Sequence, residues 1–103
     1  LRIGFSTAAL ARTFSEFDRL RRAFGDEMAY KLANRMAVLD AADTLALVPS
    51  MPPIGCRQLD GDARFGVMVA KTQRLVFCAV GANVRKRAVD LARVTEIEIE
   101  GVR

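Results

Sequence analysis

An α+β fold is predicted for this chain, and three observations predict it. Apolar residues recur at three- and four-residue steps through the first 41 positions, and at two-residue steps after position 54. Pro49, Pro52 and Pro53 separate the two regimes. The length of 103 residues suits one domain with one core. The expected order is an N-terminal strand, a helical hairpin, and then a mainly antiparallel four-stranded sheet, with the hairpin lying on the sheet. One domain covers residues 1–103, with no internal repeat, low-complexity stretch or linker.

"RIGFS" (2–6) is short, apolar and β-compatible, and reads as the first strand. Leu10, Phe14, Phe17, Leu20 and Phe24 then line one face of a helix. Ser6 or Thr7 is placed to cap its start and Gly25 to end it. A second helix follows over 26–45, with Asp26 and Glu27 complementing its N-terminal dipole. Met28, Leu32, Met36 and Leu39 form its apolar stripe, and Ala29, Ala33, Ala37 and Ala41 a small ridge against which the first helix can approach. A turn of helix is expected in "DTLALVPSMPP". Beyond it, "IGCRQL" (54–59), "FGVMVA" (65–70), "RLVFCAV" (74–80) and "TEIEIEGV" (95–102) read as strands. The middle two form a hairpin about "KTQ". In the last strand Ile97 and Ile99 are expected inside, and Glu96, Glu98 and Glu100 in water. "GANVRKRAVDLARV" (81–94) reads as a basic loop with a turn of helix.

Composition narrows the chemistry. No apolar run approaches the ~20 residues of a membrane span, and "LRIGFSTAAL" lacks the apolar stretch of a secretory signal. There is no histidine, and Tyr30 is the single tyrosine. Cys56 and Cys78 have neither C-x-x-C spacing nor imidazoles beside them, so no metal and no cofactor is expected. They read as small core thiols of a reducing cytoplasm. The net charge of +4 is unevenly spread. Residues 56–93 hold Arg57, Arg64, Lys71, Arg74, Arg85, Lys86, Arg87 and Arg93 against Asp60, Asp62 and Asp90. Such a segment suits a polyanion, most simply nucleic acid, or else is a solvated basic surface.

The helical hairpin, the prolines, "CRQLDGDARFG", "QRLVF" and "VTEIEIEGV", in this order, resemble the RelE/HigB superfamily, the toxins of bacterial type II toxin–antitoxin systems. The match is nearest to its HigB-like "killer" branch. The resemblance implies a cytoplasmic toxin that cleaves ribosome-bound mRNA without a metal. It also implies a cognate antitoxin, a helix-turn-helix protein through which alone the toxin meets operator DNA. A sister branch, ParE, inhibits DNA gyrase without catalysis, and a catalytically inactive partner in operon regulation is a third reading.

Metal-free RNA cleavage needs a base for the 2′-hydroxyl, a cation for the phosphorane and an acid for the 5′-oxygen. Arginine suits the second role, being planar, bidentate and always charged, and is a poor proton carrier. The resemblance places the family's phosphate-binding arginine at Arg74, which opens "RLVF". Arg57 stands where relatives have His, and Asp60 where they have Lys. Arg74 and Arg57 are thus the candidate catalytic residues. Arg64, Lys71 and Arg103 are candidate RNA contacts, as are Arg85, Lys86 and Arg87 in the basic loop. Asp60 reads as a solvated turn carboxylate or, alternatively, as a base. If the hairpin folds about Thr72, Arg64, Met68, Arg74 and Cys78 share the sheet face away from the helices. Lysines of RelE itself are replaced here by Gly66 and Met68. Relatives usually continue beyond the position of Arg103 to a tail ending near Asp-Tyr-His. With Leu1 in place of Met, a trimmed chain and a member without that tail both stay open.

Overall fold

The computed structural model describes residues 1–59, 63–81 and 89–103. The architecture is α+β, with three helices packed on one face of a five-stranded sheet. Strand β1 (Arg2–Phe5) leads into α1 (Ala8–Ser15), α2 (Phe17–Phe24) and α3 (Asp26–Ala41). Strands β2 (Arg57–Leu59), β3 (Arg64–Ala70), β4 (Gln73–Ala79) and β5 (Glu96–Val102) follow. The expected single turns of helix are 3-10 segments at Leu45–Leu47 and Leu91–Arg93.

The first half of the helical hairpin departs from expectation: it is two helices, broken at Glu16, whose φ of −138° and ψ of 140° are extended. The apolar stripe runs on through the break, so periodicity alone does not mark it. The local signal is hydroxyl chemistry. Thr13 Oγ1 donates to the carbonyl of Ala9 (3.0 Å) and Ser15 Oγ to that of Arg12 (2.7 Å), competing with the helical ladder. Thr7 is the N-cap, accepting from the Leu10 amide at 3.1 Å. Gly25, at φ 85°, ends α2 and starts α3. The alanine ridge of α3 is used only in part. Ala29 is buried, and Ala37 and Ala41 are exposed, because an eight-residue helix spans only about 12 Å.

The sheet order is β1-β5-β4-β3-β2. β2, β3, β4 and β5 pair antiparallel in succession, and β1 closes the far edge parallel to β5. The strand expected at the N-terminus therefore makes the sheet five-stranded and mixed. Phe65, Val67 and Val69 of β3, Leu75, Phe77 and Ala79 of β4, and Ile97 and Ile99 of β5 are buried with Leu20, Leu32 and Leu39 of the helices. The Phe65 and Phe77 rings stack at 6.1 Å. Alternate residues of these strands face the other way, onto a side that no described helix covers.

Candidate functional site

That second face carries the charged side chains. The β3–β4 register pairs Arg64 with Cys78, Gly66 with Val76 and Met68 with Arg74, so all six share it. Lys71 and Thr72 make the connecting turn. Arg57 of β2 lies opposite Gly66 and joins the same face. Arg103 follows β5 and exchanges backbone hydrogen bonds with Arg74, its amide donating at 2.9 Å and accepting at 2.6 Å through its carbonyl. The structure thus brings Arg57, Arg64, Arg74 and Arg103 to one face of the sheet, with Lys71 at its hairpin end; counting by twos in the sequence grouped Arg64 and Arg74. Arg85, Lys86 and Arg87 of the basic loop, and Asp60, lie outside the described residues.

The cations are not equivalent. Arg57 and Arg74 converge on a depression of about 180 Å³, walled by Ser50, Pro52, Gly55 and Met68. Arg74 is half-buried, and among the described residues its Nε is buried with no hydrogen-bond partner. A buried donor left unpaired costs ~1–3 kcal/mol, and an anion is the partner a guanidinium accepts most readily. Gly66 makes this placement possible. A Cβ there would stand 3.1 Å from Arg74 Cδ and 3.3 Å from Leu59 Cδ1. The arginine stem lies across β3 where any other residue would put a side chain. Arg35, which sequence reading gave no role, holds the proline wall. Its Nε donates to the Met68 carbonyl (2.6 Å) and its terminal nitrogen to that of Pro53 (3.4 Å).

Arg64 is committed elsewhere. Its Nε donates to Glu100 Oε1 at 2.6 Å, with the two side chains 36% and 19% exposed. This corrects the expectation that the glutamates of β5 face water: Glu98 and Glu100 are half-buried, and only Glu96 is exposed. Glu98 lies between Cys78 of β4 and Gly4 of β1, inside the sheet, and Glu100 is the extra residue where the register shifts between Val76 and Phe77. The open face is therefore cationic from Arg57 to Arg74 and Arg103, and charge-compensated where Arg64 meets Glu100.

Proton carriers are scarce around the depression. Burial pushes the Cys56 thiol up to about 11. Burial also raises Cys78, with Glu100 and Glu98 adding to it and Arg64 opposing. Both thiols are protonated at neutral pH and are weak nucleophiles there. Tyr30 is 67% exposed on α3, its ring 4.9 Å from that of Phe17, in the helical layer. The described residues form no cluster of three or more His, Cys, Asp or Glu placed to hold a metal ion. No described helix is long and apolar enough to cross a membrane. What the arrangement can do is grip a phosphate bidentately and stabilise charge that builds on it. Comparison with family models, with curated proteins and with solved structures found no match.

Proposed function

We propose that this chain is a toxin of the RelE/HigB kind that binds mRNA phosphate on its open sheet face and cleaves mRNA on the ribosome. The observation that carries the reading is the convergence of Arg57 and Arg74 on one depression, with Arg74 Nε buried and unpaired. In this role Arg74 and Arg57 bind the scissile phosphate and stabilise the phosphorane. Lys71 and Arg103 extend the cationic track along the strand ends, and Arg64 orders the face through Glu100. The reading places the protein in the cytoplasm, with a cognate helix-turn-helix antitoxin, the ribosome and mRNA as partners. The chemistry assigned to the arginines needs no metal or cofactor.

A ParE-like reading, in which the same face holds a protein such as gyrase without catalysis, is favoured by one specific observation. Neither thiol near the arginines ionises at neutral pH, and the chain has no imidazole. Primer extension on cellular mRNA after brief induction separates the readings, with Arg74→Ala beside the parent sequence. Cuts inside translated codons that vanish in Arg74→Ala are the expected result. Growth arrest with intact mRNA contradicts the nuclease and points to gyrase. No arrest leaves the inactive partner in operon regulation.

A further inference from the structure

Strand β2 starts at Arg57, opposite Gly66, while β3 runs on to Ala70. A ladder extended by two residues would set Gly55 opposite Met68. The chain turns away instead: Gly55 takes a φ of 55°, and its amide donates to the Met51 carbonyl at 3.0 Å. Met68 still has partners for both backbone groups. Its amide donates to the Ile54 carbonyl at 2.7 Å, and its carbonyl accepts from Arg35 Nε at 2.6 Å. A side chain of α3 thus supplies the donor that a strand would have supplied. The same guanidinium donates to the Pro53 carbonyl at 3.4 Å and to Asn34 Oδ1 at 2.6 Å, so all three of its nitrogens are engaged.

We propose that Arg35 is a positioning residue for the arginine depression, setting Arg57 and Arg74 where both can grip one phosphate. This rests on the phosphate-binding reading of those two arginines and names what holds them in place. They stand on strands that are not neighbours, β2 and β4, with β3 between. Their separation therefore depends on how the segment before β2 sits against β3. Arg35 fixes that relation. Pro53 belongs to the segment that leads into Arg57, and Met68 is the residue paired with Arg74. One planar group is bonded to the carbonyls of both. Pro52, Gly55 and Met68 are themselves walls of the depression. The fit between them is close: a Cβ on Gly55 would stand 2.8 Å from Met68 Sδ. Arg35 does not line the depression. It lines a separate hollow of about 180 Å³, together with Lys31 and Ala70, which shares only Met68 with the arginine site. Its influence on phosphate therefore passes through the backbone groups that it holds.

The test measures affinity for a short single-stranded RNA by fluorescence anisotropy over a range of salt concentrations, with urea unfolding to show that each variant is folded. Arg35→Lys keeps the charge and loses the planar fork, and Arg35→Gln loses both. Each should bind RNA several-fold more weakly than the parent sequence, with an unchanged salt slope, because no phosphate contact is lost. Added to Arg57→Gln/Arg74→Gln, Arg35→Lys should weaken binding no further, as expected of a residue that acts through those two. Lys31→Gln removes an equal charge one turn away on the same helix and should change affinity by less than about twofold. Full affinity in the folded Arg35 variants overturns the proposal and leaves Arg35 a stabilising residue only. So does a further loss on the double-variant background, an equal loss in Lys31→Gln, or a slope shallower by about 0.7 in Arg35→Gln, the mark of a direct phosphate contact. Each of these outcomes leaves the phosphate reading of Arg57 and Arg74 intact. An Arg57→Gln/Arg74→Gln variant that binds RNA like the parent removes that reading and this inference with it.

Discussion

The two faces of the sheet are made by the same strands and do opposite work. On the covered face Phe65, Val67, Leu75, Phe77, Ile97 and Ile99 are buried against the helices. On the other, one residue away along each strand, stand Arg64, Arg74, Cys78, Glu98 and Glu100. Strand alternation separates them: a period of two lets one segment supply both half of a core and half of a charged surface. The lesson lies in what each face needs. The covered face needs volume and apolarity, which many residues supply. On the proposed reading the open face needs a guanidinium at one place, a missing side chain at Gly66 and a carboxylate at Glu100.

The largest contrast comes from truncating one residue on each face of β4. Phe77→Ala empties a fully buried site and should lower stability by about 3–5 kcal/mol in urea unfolding. Arg74→Ala removes a half-buried side chain whose Nε is already unpaired, and should change stability by no more than ~1 kcal/mol while weakening RNA binding. Equal losses of stability would mean that the arginine is a packing residue and that the two faces do not differ in kind.

Gly66→Ala sharpens the comparison from within the open face. The added methyl meets Arg74 Cδ at 3.1 Å, so the arginine must move. We expect several-fold weaker RNA binding with a stability loss of about 1–3 kcal/mol, as for other overpacked sites. Full RNA affinity in this variant would show that the position of Arg74 over β3 is immaterial.

Much of this comparison was legible in the sequence. Counting by twos from a turn at Thr72 put Arg64, Met68, Arg74 and Cys78 on one face, and the register agrees. The alternation in "TEIEIEGV" identified Ile97 and Ile99 as core. What escaped was non-local or arose from irregularity. The Arg64–Glu100 pair depends on β5 lying beside β4 and on a bulge at Val76–Phe77. The parallel pairing of β1 with β5 joins residues more than ninety positions apart. The close approach at Gly66 shows in the sequence only as a glycine inside a strand pattern. The break at Glu16 was hidden because its apolar stripe continues, with only Thr13 and Ser15 as a signal.

Smaller effects test the charge-compensated end. Glu100→Gln removes the carboxylate to which Arg64 Nε donates. Stability should fall by about 1 kcal/mol, a modest figure because the guanidinium is partly exposed. RNA affinity should rise several-fold, since the face gains one positive charge; unchanged affinity would place the RNA path elsewhere. Smaller still is the pH effect of Cys56. Its thiol is held up at about 11 against an ordinary 9.0, so the folded state keeps a proton that the unfolded chain loses first. The urea midpoint should therefore decline as pH rises from about 9 toward 11, and this contribution should disappear in Cys56→Ala. A midpoint equally pH-dependent with and without the thiol would contradict that burial.

The most direct test of the open face as a phosphate-binding surface is the salt dependence of its affinity for a short single-stranded RNA, measured by fluorescence anisotropy on the parent sequence and on Arg57→Gln/Arg74→Gln. Each single-strand phosphate contact contributes about −0.7 to the slope of log K against log salt concentration. The double variant should bind more weakly, with a slope shallower by about 1.4. An unchanged affinity and slope would contradict the account, because the two arginines would then touch no phosphate.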